Sequence, residues 1–262
     1  MSEVVAEGII EASRLIDWAQ TFASKVPGVK TPFVTECKVH FDEDGMHVGV
    51  YDPAQVAMVG PTLLSKRAFE SYNAPGRVTQ GINLERLIEL VKPAEGSQFV
   101  GFGMDMETRR LDIEYGQADL DMGLIDPANI RKEPDIPELD LPNTAIITGS
   151  QLDDALTVAD LVADHVAIRV DVDAGSIAFT TQGDIDKGAV EYPRRECEFT
   201  DFTETTESLF SLDYLRMLSK PIPADAEVRI RTGDEYPVRF SWESMDGHFD
   251  VKQTLAPRIQ SD

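Results

Sequence analysis

Two acidic turns are the first places in this sequence where side chains gather at a spacing that chemistry could use. They read "DEDG" at residues 42–45 and "DVDAG" at 171–175. A calcium-binding EF-hand loop needs a glutamate at its last ligand position, and counting from Asp42 or Asp171 reaches Pro53 or Gln182 instead. Both are therefore read as hairpin turns with solvated carboxylates. His40, His47, His165 and His248 are the 4 histidines, and with Cys37 and Cys197 they show no zinc-ligand spacing. His40 and His47 flank a turn and could face each other as a surface pair. No glycine-rich phosphate loop or nucleophile elbow is present, and Gly101 and Gly103 in "VGFGMD" sit inside a strand pattern with no helix following. Pairs of carboxylates carry no information where acids are this abundant, so an acid-base hydrolase is left without a specific signal.

The acidic turns are positioned by a pattern that occurs twice. "VHFDEDGMHVGVYDP" (39–53) is similar to "IRVDVDAGSIAFTTQ" (168–182), each an alternating strand, a turn closed by Gly45 or Gly175, and a second alternating strand. "INLERLIELVKP" (82–93) is likewise similar to "FSLDYLRMLSKP" (210–221), with Leu84 and Leu212 128 positions apart. Asn83 and Ser211 are helix-capping residue types, and each precedes an acid, Glu85 or Asp213, that suits the positive end of a helix. Leu84, Leu87, Ile88 and Val91 form one apolar face, as do Leu212, Leu215 and Leu218, and Pro93 and Pro221 stop the two helices. Two further helices lead the copies. One is capped at Ser13 with Leu15, Trp18, Ala19, Phe22 and Val26 on a face, the other at Ser150 with Leu152, Ala155, Leu156 and Ala159. The remainder reads as short alternating strands. The fold class is α+β, two similar domains with two helices each packed on antiparallel sheets. The expected bounds are 1–123 and 142–262, with a connector at 124–141.

That connector, "LIDPANIRKEPDIPELDL", is too rich in proline for a helix or a central strand. It carries isolated apolar residues, Ile130, Ile136, Leu139 and Leu141, which pack on the protein's own domains or serve a partner. The chain has 47 acids and 24 bases, a net charge of −23, spread through patterned segments rather than gathered in a tail. With 42% hydrophobic residues it is not an acidic disordered chain. It reads as a folded protein with an acid-coated surface adapted to concentrated salt, where a Debye length of about 3 Å at 1 M screens the repulsion. An acidic protein of an ordinary cytosol is the alternative. No apolar run has the roughly 20 residues of a membrane span, and the first residues lack the basic start of a signal peptide. The two cysteines are read as small apolar residues of a reducing compartment.

In order and spacing, "YDPAQVAMVGPTL" (51–63), "GINLERLIELVK" (81–92), "DIPELDLP" (135–142) and "LAPRI" (255–259) resemble the DNA sliding clamp family of proliferating cell nuclear antigen, in its archaeal, salt-adapted form. The resemblance spans essentially the whole chain. It implies a homotrimeric ring of six similar domains around duplex DNA, with helices lining the hole. A strand at about Ala118 to Leu124 would pair with one at about Ile185 to Tyr192 of the neighbour, and Asp119, Asp121, Asp184 and Asp186 would weaken that joint at low salt. It further implies a pocket for short peptides of DNA polymerases, flap endonuclease, DNA ligase and the clamp loader. Carried over by position, the pocket comprises Gln55, Val56, Met58, Ile136, Pro237, Leu255, Ala256, Pro257, Arg258 and Ile259. DNA contact would fall to Arg14, Arg86, Lys92, Arg216 and Lys220. Ile16, Asp17, Asp153, Asp154 and Asp160 stand where a phosphate-binding channel would favour bases. The implied function is a processivity clamp without catalysis, cofactor or metal, in the cytoplasm and associated with the nucleoid. A subunit of a heteromeric clamp, or an acidic α+β hydrolase, are the other readings.

Overall fold

The computed structural model describes residues 4–25, 32–95, 98–135 and 138–258. Its plan is finer than a twofold repeat: a strand running directly into a helix, then three more strands, occurs four times. The first unit is β1 (Val4–Glu11), α1 (Ala12–Phe22), β2 (Glu36–Asp42), β3 (Gly45–Tyr51) and β4 (Ala57–Ser65), followed by a short β5 (Ser71–Asn73). The second is β6 (Val78–Asn83), α2 (Leu84–Val91), β7 (Phe99–Asp105), β8 (Arg110–Tyr115) and β9 (Ala118–Gly123). The third is β10 (Asn143–Thr148), α3 (Gly149–Asp160), β11 (His165–Asp171), β12 (Ser176–Gln182) and β13 (Lys187–Pro193), followed by β14 (Glu198–Phe202). The fourth is β15 (Thr206–Ser211), α4 (Leu212–Ser219), β16 (Glu227–Thr232), β17 (Val238–Ser244) and β18 (Phe249–Leu255).

Because a strand precedes each helix without a loop, the helix starts move from their expected places. Ser13 lies inside α1, whose N-cap is Glu11 with no side-chain cap bond. Ser150 lies inside α3, which is capped by Thr148 in a reciprocal box with Gln151, the hydroxyl accepting from the Gln151 N–H at 3.1 Å and the Gln151 amide oxygen from the Thr148 N–H at 2.8 Å. Asn83 caps α2 as expected, accepting from the Arg86 N–H at 2.9 Å, whereas Ser211 occupies the cap of α4 without a side-chain bond. The apolar stripes are buried as read: Leu15, Trp18, Ala19 and Phe22 on α1, Leu152, Ala155, Leu156 and Ala159 on α3. Val26 lies outside the described residues.

Among the described residues the strands are antiparallel throughout and form three sheets, ordered β5-β1-β7-β8-β9, β14-β10-β16-β17-β18-β4-β3-β2-β6 and β13-β12-β11-β15. The nine-stranded sheet is joined across the chain's halves where β18 meets β4, with Leu255 opposite Ala57 and Phe249 opposite Leu64. The other two sheets contain the equivalent strands in the equivalent order, but their counterparts of that seam, β9 and β13, are free edges. Pairing β9 with β13 would rebuild the same nine-stranded order.

Candidate functional site

The turn between β3 and β4 is built around one carboxylate. Asp52 is only 2% exposed, and its Oδ1 accepts from the backbone N–H groups of Val56 (2.6 Å) and Ala57 (2.8 Å). Its Oδ2 accepts from the Ala54 N–H (2.8 Å) and from the Tyr214 hydroxyl (2.7 Å). An aspartate folded over the next few amides is an Asx-type turn, and Pro53 fixes its first step. The turn holds Gln55 at φ 59°, a left-handed conformation that a non-glycine residue adopts at some cost, and leaves its side chain exposed. Val56 is half-buried against the core, and Met58, opposite Thr254, is buried.

Three other segments converge on this turn. The C-terminal stretch crosses it, with the Ala256 N–H donating to the Val56 carbonyl at 2.9 Å and the Arg258 N–H to the Leu209 carbonyl at 2.7 Å. Ala256 and Pro257 are half-exposed there, while Leu255 is fully buried under them. Pro237, half-buried, immediately precedes Val238, the residue paired with Leu255. The connector reaches the turn through Arg131, whose Nη1 donates to the Pro53 carbonyl at 3.1 Å. Gln55 and Val56 are thus brought beside Ala256 and Pro257, with Pro237 at the start of the adjoining strand and Arg258 exposed next to Leu209, while Leu255 faces the core with Ala57 and Met58 faces the opposite side of the sheet with Thr254. Ile136 and Ile259 lie outside the described residues.

The connector itself is pinned at both ends. Ile130 is 9% exposed and packs so closely on β6 that a Cβ at Gly81 would sit 2.3 Å from its Cδ1. Leu141 is buried at the other end, and its carbonyl accepts from Arg231. Those two apolar residues pack on the protein itself. Between them His40 clasps the connector, with Nε2 2.5 Å from Glu133 and Nδ1 2.6 Å from the Thr79 hydroxyl. His40 and His47 do face each other across the β2–β3 hairpin, yet they are no surface pair, since His40 is half-buried against the connector. Beside this clasp a cavity of about 180 Å³ is lined by Cys37, Lys38, Tyr51, Pro53, Arg131 and Glu133. Burial pushes the Cys37 thiol up, with Glu133 and Glu36 adding to it.

Four of the five bases expected to meet DNA are engaged within the chain. Arg216 bridges Asp153 and Asp160 of α3, each at 3.2 Å, and so ties α4 to α3. Lys220 donates to the Lys25 carbonyl, and Lys25 pairs with Glu85 at the start of α2. Arg86 pairs with Glu89 at 3.0 Å. Arg14 is placed apart from these, at the turn between β17 and β18, where it meets Asp246 at 3.3 Å, with Glu11 at 3.6 Å. Lys92 is exposed at the C-cap of α2, and no partner for it is seen among the described residues. Burial raises the Asp17 carboxyl above its ordinary value, helped by Glu95. Sequence reasoning missed Asp52, Tyr214 and Arg131. The Asp-Pro opening of the turn carried a usable signal for the first, while the tie from Tyr214 joins residues 162 positions apart and left no local trace.

No family model matches the chain. It is 43% identical over 245 residues to the DNA polymerase sliding clamp of Natronomonas pharaonis, covering 93% of this chain and 97% of that one. The chain belongs to the DNA polymerase sliding clamp family. The clamp of Haloarcula marismortui is 41% identical over 87% of this chain and 92% of its own. Among solved structures, the A. fulgidus PCNA bound to the C-terminal region of FEN-1 superposes with a TM-score of 0.88 at 31% identity, covering 98% of this clamp and all of that chain. PCNA from Thermococcus kodakaraensis matches in fold, with a TM-score of 0.85 at 20% identity over 97% of this chain and 100% of its own. No helix among the described residues of the clamp is long and apolar enough to cross a membrane.

Proposed function

We propose that this clamp closes as a homotrimer around duplex DNA and tethers DNA polymerases, flap endonuclease, DNA ligase and the clamp loader through short peptides, without catalysis of its own, in the cytoplasm at the nucleoid. The observation that carries the ring is the pair of free edges. Within the chain β18 and β4 make one seam, and β9 and β13 are the matching strands left unpaired, so a second copy completes the sheet and removes both edges. Copying the seam's register sets Leu120 opposite Gly188, Asp121 opposite Lys187 and Met122 opposite Asp186, and with Asp119 and Asp184 also at the joint the excess of acids favours assembly in concentrated salt. Ile185, 93% exposed in the single chain, stands at the approach to β13.

The meeting of the Asp52 turn with the C-terminal stretch supports the peptide site, proposed to comprise Gln55, Val56, Met58, Pro237, Leu255, Ala256, Pro257 and Arg258 together with Ile136 and Ile259. The peptide-bound A. fulgidus relative agrees with that reading. Arg14, Arg86, Lys92, Arg216 and Lys220 are the proposed DNA contacts, and all but Lys92 must exchange an internal partner for phosphate. Domain bounds of 1–123 and 142–262 about a connector at 124–141 accompany the proposal.

The test is the solution mass at high and low salt together with peptide titration. A trimer at high salt that dissociates at low salt, and that Asp119→Ser makes more persistent, is the expected result. A monomer of 29.0 kDa at micromolar concentration in high salt overturns the ring. Ile136→Asp should abolish peptide binding while leaving the trimer intact, and unchanged binding would remove the connector from the site.

A further inference from the structure

Tyr214 lies on α4 two residues before Arg216, and residues so spaced point to nearly opposite sides of a helix. Its hydroxyl donates to Oδ2 of Asp52 at 2.7 Å, while Arg216 turns the other way to Asp153 and Asp160. One short helix thus touches the acidic groove between α3 and α4 on one side and the turn carrying Gln55 and Val56 on the other. The Asp52 carboxylate has no basic partner among the described residues. It is held by three backbone N–H groups and this one hydroxyl. Burial, with the Asp52 carboxylate second, raises the Tyr214 phenol to about 12, so it stays protonated and remains a donor throughout the working range.

We infer that Tyr214 is a positioning residue for the partner-binding turn, acting through Asp52, and that the helix facing the channel is mechanically tied to that turn by this bond. The chemistry is geometric. A carboxylate that accepts four hydrogen bonds in fixed directions cannot rotate, and its orientation sets the amides of residues 54 to 57, including the unfavourable backbone of Gln55. Without the hydroxyl the carboxylate keeps the turn amides but loses the restraint that fixes its plane. The turn then samples conformations in which Gln55 relaxes from φ 59°. Because a tie acts in both directions, whatever displaces α4 on the channel side alters the turn by the same free energy.

This inference rests on the peptide-site reading, and its test separates the two. The variant is Tyr214→Phe, which removes one oxygen and keeps the ring. Amide hydrogen exchange on the assembled protein should show Val56 and Ala57 exchanging about tenfold faster, with the amides of α4 itself unchanged. A synthetic peptide of the FEN-1 C-terminal region should bind about five- to tenfold more weakly to the variant, at an unchanged melting temperature. Faster exchange throughout α4 with a lowered melting point would mean a purely structural tyrosine and overturn the inference. So would unchanged exchange at residues 54 to 57. A wild-type protein that binds no peptide, with the exchange effect present, would sink the peptide reading and leave the tie standing. Asp52→Asn is the second arm: if the bond is the route, adding Tyr214→Phe to it should weaken the turn by less than Tyr214→Phe does alone.

Discussion

The helices α2 and α4 come from nearly the same sequence pattern and are held in different ways. α2 has a side-chain cap from Asn83 and a local Arg86–Glu89 pair, beside ties from Lys25 to Glu85 and from the Tyr115 hydroxyl to the Leu90 carbonyl. α4 has a serine at the cap that makes no cap bond, and its restraints are distant, Tyr214 to Asp52 and Arg216 to Asp153 and Asp160. The difference teaches that the second copy gives up the side-chain cap and ties its helix instead to α3 and to the turn carrying Gln55 and Val56. A local cap stabilises a helix and transmits nothing. A tertiary tie makes the helix's position depend on what it touches.

The largest effect that would probe this asymmetry is at the equivalent first helical positions, Ala12 of α1 and Gly149 of α3. A Cβ at Gly149 would lie 2.1 Å from the Pro223 carbonyl oxygen, so backbone must move to admit it. Gly149→Ala should destabilise by about 1–3 kcal/mol, read as a fall in Tm, although alanine is the better helix former and already occupies the matching site in the first copy. Next in size, Asn83→Ala should cost about 1 kcal/mol in denaturant unfolding, against almost nothing for Ser211→Ala. Equal losses would mean that the two caps work alike.

The two acidic hairpins give a pH comparison. Burial works to raise Asp42, but the Asp44 N–H and His47 outweigh it and hold the carboxyl below its usual value. Asp171 is held low by the Ala174 N–H first and then by Arg169. A carboxyl depressed in the folded state stabilises above its unfolded value near 3.8 and loses that contribution as pH falls through the lower folded value. Asp42→Asn and Asp171→Asn should each flatten the acid limb of a Tm-against-pH curve below about pH 4. The smallest effect has the opposite sign. Asp17, raised by burial first and then by Glu95, is less favourable to the folded state when ionised, and its exposure to solvent keeps that effect small. Asp17→Asn should raise Tm at pH 7 by no more than about 1 °C and change little near pH 3.

The α+β class, the helix pairs and most strands were legible because apolar periodicity is local. The fourfold unit was not, since β1, β6, β10 and β15 run straight into their helices and leave no turn residues to mark a boundary. That is also why Ser13 and Ser150 looked like caps: each is the second residue of its helix, and the true starts, at Glu11 and Thr148, are strand ends. The meeting of the Asp52 turn with the C-terminal stretch was legible only as separate segments, Gln55 and Val56 in one and Ala256 and Pro257 in the other. What organises them was hidden, because Asp52, Tyr214 and Arg131 act across long chain separations. The charge pattern likewise gave the bases but not their internal partners, which only the packing of α3 on α4 reveals.

The seam between β4 and β18 also sets an order of events during synthesis. β4 ends at Ser65 and its partner ends at Leu255, so at about 5–20 residues per second the first half waits roughly 10–40 s with that edge open. An open edge invites pairing with the wrong chain. β4 carries its own protection for the wait: Pro61, exposed in the middle of the strand, has no N–H to offer, and the pairing with β18 shifts register between Asp250 and Gln253 to pass it. The nascent chain thus keeps the β4 edge unattractive until the one strand shaped to accommodate the interruption leaves the ribosome.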